Sequence, residues 1–244
     1  MKFERNIEQE KIDALAEFAA GAGHEINNPL TIIRGRAQIL LQEIDHPDHR
    51  KHLATILNQV QRAYEMIADI RLFARPPKPE WESMDLAETL RNVVREQSEL
   101  GSPEMIWELV VPESVPIHSD PVILHTVFAI LCKNAREALG TKPGILRITC
   151  TAQDHQWKIS VEDNGPGIPK EIGPLIFSPY FSGRQAGRGL GFGLPKAWRF
   201  LEQINGTISL ADADTFAGHS TPGACFEITL PVEGGKGYVA KRKE

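Results

Sequence analysis

The sequence predicts an α+β fold in which an N-terminal helical hairpin precedes an α/β sandwich domain. Between Ile12 and Ile44, apolar residues recur at steps of three and four, and a second stripe of the same period continues to Ala74. This period is typical of amphipathic helices. After a proline-rich segment the pattern changes to short strands that alternate with helices and glycine-rich loops, which is typical of a layered α/β domain.

The hairpin is predicted from two long stripes with a turn between them. Segment 44–49, which reads "IDHPDH", supplies the turn. A hairpin with a continuous apolar seam on each helix cannot bury both seams alone, so we expect a homodimer that forms a four-helix bundle. The alternative is a hairpin packed onto its own following domain. The stripes consist of Ile12, Leu15, Ala19, Ala22, Ile26, Leu30, Ile33, Ala37, Leu40 and Ile44, then Leu53, Leu57, Val60, Ala63, Ile67, Ile70 and Ala74.

Four segments are expected along the chain. They are the hairpin at 1–75, a proline-rich linker at 76–84, the α/β domain at 85–233 and a flexible tail at 234–244. Within the third segment we expect a few helices on one mostly antiparallel sheet. The predicted helices are 85–100, 121–140 and 191–206, and the predicted strands are 105–112, 114–120, 144–154, 156–165, 206–212 and 223–232.

Composition narrows the class of protein. A net charge of -5 gives no reason to expect nucleic acid or an anionic membrane as a partner. The three cysteines have no CxxC spacing, which argues against a zinc site and fits a reducing compartment, where we expect them to be buried. No apolar stretch approaches the roughly 20 residues of a spanning helix, and the first ten residues are too charged for a signal peptide. We therefore expect a cytoplasmic chain, or a cytoplasmic fragment of a longer protein. A membrane-bound parent protein is compatible with this expectation.

Two glycine clusters lie between residues 163 and 193. They read "DNGPGIP" and "GRGLGFG" and are separated by a long loop with few structural signals. Glycine lets backbone amides approach and surround phosphate groups. The second cluster is not a Walker motif, because no lysine followed by Ser or Thr comes after it, and it does not follow a strand as a dinucleotide fingerprint must. Taken alone, Asp163 is also compatible with an ordinary turn at a strand end.

The order of these motifs resembles a known family. "KNAREAL", "DNGPGI", "FSPYF" and "GRGLGFGL" resemble the N, G1, F and G2 boxes of sensor histidine kinases, and "GHEINNPL" resembles their phosphoacceptor box. The resemblance covers residues from about 10 to 232 and implies the ATP-binding fold of the gyrase/histidine-kinase type. It implies two-component signal transduction, in which a histidine is phosphorylated from ATP and the phosphoryl group passes to an aspartate of a response-regulator receiver domain.

His24 is the candidate phosphoacceptor. It lies two residues from both Ala22 and Ile26, so at about 100° per residue it points away from the apolar stripe. A neutral imidazole attacks through one nitrogen when an acceptor holds the proton of the other, and Glu25 supplies this acceptor. Pro29 deletes a helical amide and allows a bend. The resemblance assigns Asn28 to the position that orients water for dephosphorylation of the regulator, which implies additional phosphatase activity.

The resemblance also assigns residues of the ATP site. It implies that Asn134 binds Mg²⁺, that Asp163 accepts a hydrogen bond from the adenine amino group, and that Thr229 lies near adenine. Arg184 and Arg188 are the cations nearest the second glycine cluster, and from this position we expect them to neutralise γ-phosphate charge. The lid and phosphate cradle would comprise Gly165, Gly167, Phe177, Phe181, Gly189, Leu190 and Gly191.

Two departures from the family pattern concern the same site. Ile130 stands where many members have a first asparagine, so one contact is missing or is replaced by Lys133 or Glu137. The lid segment "FSPYFSGRQ" lacks the usual lysine. Two alternatives to a kinase therefore stay open: a phosphotransfer or scaffold protein that has lost ATP turnover, and a related ATPase that forms no phosphohistidine. The glycine boxes argue against the first, and "GHEINNP" argues against the second.

Overall fold

The structure, a computed structural model, describes residues 2–100, 104–179, 181, 191–211 and 223–234, without the side chains of 2–16, 18–20 and 22. The chain divides into two compact units, Met1–Pro77 and Lys78–Glu244, and each is described by itself. Within the described ranges, no helix is both long and apolar enough to cross a membrane.

The first unit is the predicted helical hairpin. Helix α1 spans Lys2–Glu43 and helix α2 spans Pro47–Ala74, so the turn lies in the predicted segment. The two helices pack closely at Gly23, where an added Cβ would lie 3.1 Å from Cγ2 of Ile67. Ala37, Leu53 and Val60 are also buried in the hairpin.

The hairpin buries only part of its apolar surface. In the predicted stripe of α1, three residues spaced seven apart remain about two-fifths exposed, namely Ile26 at 43%, Ile33 at 44% and Leu40 at 43%. We call these three residues the exposed seam. The hairpin alone therefore leaves an apolar face without a partner within the described part of the chain. The side chains of Ile12, Leu15, Ala19 and Ala22 lie outside that part.

The second unit is the predicted layered domain, so the α+β fold class is confirmed. Three helices and seven strands are described in it, with a short 3₁₀ turn at Gly173–Leu175. The helices are α3 (Leu86–Glu99), α4 (Pro121–Leu139) and α5 (Gly193–Gln203), and the strands are β1 (Glu82–Asp85), β2 (Met105–Val110), β3 (Pro116–Ser119), β4 (Gly144–Gln153), β5 (Gln156–Asp163), β6 (Thr207–Leu210) and β7 (Cys225–Pro231).

The prediction of one sheet is wrong, because the strands form two. A five-stranded sheet has the order β2-β4-β5-β7-β6, and β1 pairs with β3 in a separate two-stranded sheet. Only β2 and β4 are parallel in the larger sheet, which agrees with the expected mostly antiparallel arrangement. One face of this sheet packs under the helices and buries alternate residues, including Ile148, Ile159 and Ile228.

The small sheet and the residues bonded to it include segments that the sequence analysis assigned to the linker and to the tail. Strand β1 overlaps the predicted linker 76–84. Its sequence, "ESMD", has no strand pattern. The segment is a strand because it pairs with β3, with Glu82 opposite Ser119. Gly234, which we assigned to the flexible tail, is buried, and its N–H donates to the His118 carbonyl at 3.1 Å. The ring of Trp81 stacks on that of His118 at 6.0 Å between centroids.

Local signals account for most helix ends. The carboxylates of Asp85 and Asp120 accept hydrogen bonds from the first turns of α3 and α4, as N-caps do. Helix α5 is shorter than predicted, since it spans Gly193–Gln203. The left-handed residue after it is Asn205, with φ 58°, and not Gly206.

The three cysteines are buried thiols as expected, and burial raises the pKa of Cys132 to about 12.

Candidate functional site

The residues of the phosphoacceptor box lie on one continuous helix. His24, Glu25 and Asn28 are all exposed on α1, and His24 and Asn28 share one face because they are four residues apart. Pro29 lies inside the helix and has no backbone N–H to donate to the carbonyl of Glu25. The histidine turn is thus accessible and lacks one bond of the helical ladder.

A polar contact between the helices follows this turn, and the sequence analysis did not identify it. The Thr31 hydroxyl donates to the Asn27 carbonyl at 2.8 Å, and the Tyr64 hydroxyl of α2 lies 2.6 Å from the Thr31 oxygen. Tyr64 also lies 3.3 Å from the Asn27 carbonyl. The available signal was a tyrosine within the apolar stripe of α2, between Val60 and Ile67.

Asp163 is placed by the end of a central strand. It closes β5, only 5% of it is exposed, and its Oδ1 accepts the Gly165 N–H at 2.8 Å. Burial raises the pKa of the Asp163 carboxyl above its usual range, and backbone hydrogen bonds from Gly165 and Ala224 oppose this rise. Because a carboxylate has about four lone-pair sites, this buried acceptor has capacity for a further donor.

Glycine is required beside this carboxylate. A Cβ at position 165 would lie 2.7 Å from Oδ1 of Asp163 and 3.7 Å from Cβ of Ala138. The backbone of Gly165 therefore packs between the Asp163 carboxylate and helix α4, with no room for a side chain. The neighbouring Asn164 is held by β4, because its Oδ1 accepts the Ile145 N–H at 2.7 Å.

Helix α4 directs the polar residue of the N box toward the start of α5. Oδ1 of Asn134 lies 4.0 Å from the position of a Cβ on Gly193, the first residue of α5. Ile130, one turn earlier, faces the same point at 3.5 Å. Lys133 and Glu137 instead form an ion pair with each other at 3.9 Å, with side chains 58% and 36% exposed.

The described part of the lid brings the F box to the second glycine cluster. A Cβ at Gly191 would overlap the backbone of Phe181, and Gly191 also has φ +71°, so only glycine fits. Phe177 is half-buried nearby in sequence, and Gly167, with φ 72°, lies in the loop after β5. Arg184, Arg188, Gly189 and Leu190 lie outside the described residues.

Thr229 is not brought to this site. Asp163 is bonded to Ala224 at the start of β7, whereas Thr229 pairs with Lys158 and Thr207 farther along that strand. Positions 224 and 229 are five residue steps apart along the strand, which corresponds to about 17 Å at roughly 3.3 Å per residue. The residues beside Asp163 are instead Gly223 and Ala224, which a glycine immediately before the last strand could have indicated.

The described residues fit a purine nucleotide and Mg²⁺. A buried carboxylate that can accept a further hydrogen bond suits the exocyclic amino group of a purine, and the amide oxygen of Asn134 is the kind of ligand that Mg²⁺ prefers. In the described ranges no three His, Cys, Asp or Glu residues cluster as a metal site. Mg²⁺ held by one amide oxygen and by phosphate oxygens needs no such cluster.

Comparisons with known proteins agree with this arrangement. Residues 14–78 match the His Kinase A phosphoacceptor domain, and residues 119–234 match the histidine kinase-, DNA gyrase B- and HSP90-like ATPases. The signal transduction histidine-protein kinase AtoS of Escherichia coli strain K12 is 32% identical over 93% of this chain, which spans 36% of AtoS.

Two solved structures share the fold. Full-length ShkA in complex with AMPPNP has a TM-score of 0.74 at 22% identity, over 90% of this chain and 46% of ShkA. Histidine kinase ThkA in complex with response regulator protein TrrA has a TM-score of 0.63 at 24% identity, over 95% of this chain and 66% of that chain. With both domain types matched in the order of the family, the chain belongs to the sensor histidine kinases.

Proposed function

We propose that this chain is the core of a protein-histidine kinase that phosphorylates His24 from Mg·ATP and passes the phosphoryl group to an aspartate of a response regulator. One observation carries the proposal: a single chain combines an exposed His24–Glu25 pair in a phosphoacceptor domain with a buried Asp163 beside close-packed glycines in an ATPase domain. The relative AtoS, named a histidine-protein kinase, supports it.

The phosphoacceptor residues supply the nucleophile. The lone pair of one imidazole nitrogen forms a bond to the γ-phosphorus while the bond from that phosphorus to the β–γ bridging oxygen breaks, and ADP leaves. The other nitrogen keeps its proton and donates it in a hydrogen bond to the Glu25 carboxylate, which stabilises the developing positive charge. The phosphoryl group then passes from nitrogen to a carboxylate oxygen of the regulator, and neutral imidazole is restored.

The second unit holds the nucleotide. The buried carboxylate of Asp163 suits the adenine amino group, and a guanine would present a carbonyl oxygen there and be repelled. Asn134 would bind Mg²⁺, which supplies charge neutralisation of the phosphates when bound. Gly165, Gly167 and Gly191 would let the backbone surround the phosphates, with Phe177 and Phe181 fixing the lid. Arg184 and Arg188, with Gly189 and Leu190, complete the proposed cradle.

The proposed assembly is a homodimer through the hairpin. The exposed seam of Ile26, Ile33 and Leu40 has the seven-residue spacing of a helical-bundle interface and supports this assembly. A receiver domain is the proposed partner, by analogy with the ThkA complex with response regulator TrrA. Asn28, one turn from His24 and exposed, is the proposed residue for the reverse reaction, dephosphorylation of the regulator.

The test is phosphohistidine formation. The purified chain is incubated with Mg²⁺ and γ-labelled ATP beside the variants His24→Ala and His52→Ala; His52 is the matched control, an exposed histidine on α2 of the same hairpin. We expect acid-labile, alkali-stable label on the wild type and on His52→Ala, and none on His24→Ala. If ATP binds but no protein is labelled, the scaffold alternative replaces the kinase. If ATP is hydrolysed without protein label, the related ATPase replaces it.

A further inference from the structure

Pro29 weakens helix α1 next to the phosphoacceptor. In an α-helix the carbonyl of Glu25 accepts the N–H of residue 29, and proline has none. The helix is nevertheless continuous from Lys2 to Glu43. A turn that lacks a ladder bond bends more readily, so the orientation of the His24 turn depends on other contacts.

Two hydroxyl groups supply such a contact on the far side of Pro29. The Thr31 hydroxyl has one proton and gives it to the Asn27 carbonyl at 2.8 Å. The Tyr64 hydroxyl donates to the same Asn27 carbonyl at 3.3 Å and lies 2.6 Å from the Thr31 oxygen. The three groups therefore form a small polar cluster that links the ring of α2 to the backbone of α1.

The same face of α2 also holds α1 on the near side of His24. Ile67, three residues after Tyr64, packs against Gly23. The His24–Glu25 turn therefore lies between two points of attachment, Gly23 on Ile67 and Asn27 on Tyr64 and Thr31. The guanidinium of Arg34 lies 5.3 Å from the centre of the Tyr64 ring and holds the ring in place.

We propose that Tyr64 is a positioning residue for phosphorylation of His24: through the Asn27 carbonyl and Thr31, its hydroxyl fixes the backbone turn that Pro29 leaves without a ladder bond. The inference rests on the kinase function proposed above. Loss of the hydroxyl lets the His24 turn sample more orientations, so fewer encounters with bound ATP are productive. ATP binding itself is unchanged, because the residues assigned to ATP belong to the second unit.

Tyr64→Phe tests this role, since it removes the hydroxyl and keeps the ring over which Arg34 lies. We expect the kcat of phosphohistidine formation at saturating Mg·ATP to fall about five-fold, the factor that one hydrogen bond of average strength represents. The KM for ATP should stay at its wild-type value. Thr31→Val should reproduce the fall and Thr31→Ser should restore the rate, because serine keeps the hydroxyl.

Thr55→Val is the matched control. Thr55 makes the same type of bond, from its hydroxyl to the Lys51 carbonyl at 2.9 Å, but it has no role at His24. The proposal predicts a wild-type rate for this variant. A wild-type kcat in Tyr64→Phe, or an equal loss in Thr55→Val, would overturn the role of Tyr64.

A second measurement separates this proposal from the kinase function. Amide hydrogen exchange of residues 24–33, followed by mass spectrometry, needs no catalysis. We expect about five-fold faster exchange in Tyr64→Phe than in the wild type and Thr55→Val. If the wild type forms no phosphohistidine but this difference is found, the kinase function fails while the turn-fixing role of Tyr64 stands. If the exchange rates are equal, the role of Tyr64 is refuted whatever the kinase assay shows.

Discussion

The backbone of Gly223 lies directly against that of Asp163. A Cβ at position 223 would overlap the Asp163 carbonyl oxygen and lie 3.0 Å from Cα of Asn164. The Asp163 N–H donates to the Ala224 carbonyl at 3.0 Å, so the start of β7 and the end of β5 are held together at the proposed adenine site. The position of the Asp163 carboxylate therefore depends on a residue sixty positions later in the chain.

Gly223→Ala should damage both stability and ATP binding. The added methyl group cannot fit without moving Asp163, and overpacking of this kind costs about 1–3 kcal/mol. We expect a lower free energy of unfolding in urea and weaker ATP binding by calorimetry. The control is Gly173→Ala, where the nearest atom to the new Cβ is Leu210 Cδ2 at an ordinary 3.5 Å. Equal behaviour of the two variants would show that the close approach at Gly223 is not needed.

Asp163→Asn should weaken ATP binding at neutral pH. The amide replaces a carboxylate oxygen by a donor or by a weaker neutral acceptor opposite the adenine amino group. A hydrogen bond to a charged group contributes about 1.5–3 kcal/mol, so ATP affinity should fall roughly ten-fold or more. The opposite result, an unchanged ATP affinity measured by calorimetry, would remove Asp163 from the proposed adenine contact.

The same variant should be the more stable protein at neutral pH without nucleotide. Burial raises the folded-state pKa of Asp163 above the usual 3.8, so the folded protein binds this proton more tightly than the unfolded chain. The free energy of unfolding of the wild type therefore increases as the pH falls through the folded-state pKa, and the increase is complete below pH 3.8. Asp163→Asn has no such dependence. Thermal unfolding of both proteins should show a Tm advantage for Asp163→Asn at neutral pH that shrinks toward about pH 4.

Ile130→Asn should strengthen Mg²⁺-dependent binding of ATP. Ile130 lies one turn before Asn134 and faces the same start of α5, so an amide there adds an oxygen ligand close to the first. We expect a several-fold lower concentration of Mg²⁺ for half-maximal ATP binding. Val122→Asn, at a 72% exposed position of the same helix, controls for a new surface amide. An identical response of both variants would show that residue 130 does not reach the metal.

Ile33→Glu should separate the proposed dimer. A charge in the middle of the exposed seam would be buried without a partner in the four-helix bundle, which is strongly unfavourable. We expect light scattering to give the mass of one chain for this variant and of two chains for the wild type. Ile106→Glu, at a 56% exposed position of β2 in the second unit, should remain a dimer. A dimeric Ile33→Glu would place the interface elsewhere.

Sequence patterns were sufficient wherever the signal is local. The period of the apolar stripes predicted both helices of the hairpin and the turn at 44–49, and Pro121 and Gly140 marked the ends of α4. The glycine boxes were predicted to surround phosphate groups, and the structure shows a further need for glycine, because protein atoms occupy the Cβ positions of Gly165 and Gly191. A glycine requirement is readable from sequence because no other residue satisfies it.

Contacts between distant segments could not be predicted in this way. Strand β1 has no strand pattern and exists through its pairing with β3, so it was taken for linker. Thr229 was expected near adenine together with Asp163, whereas Ala224 is the β7-side residue bonded to Asp163, and Thr229 pairs with Lys158 farther along the strand. Gly234 was taken for tail, although it is bonded to His118.

The sequence by itself determined which residues are candidates for the chemistry and the order of the two domain types, because periodicity, helix breakers and glycine spacing act within a few residues of chain. Only the tertiary structure decided which of those residues meet. Strand register brought Gly223 to Asp163, and the packing of α2 on α1 brought Tyr64 to the turn after His24. Register and helix packing depend on the complementarity of surfaces far apart in sequence, which no single segment carries.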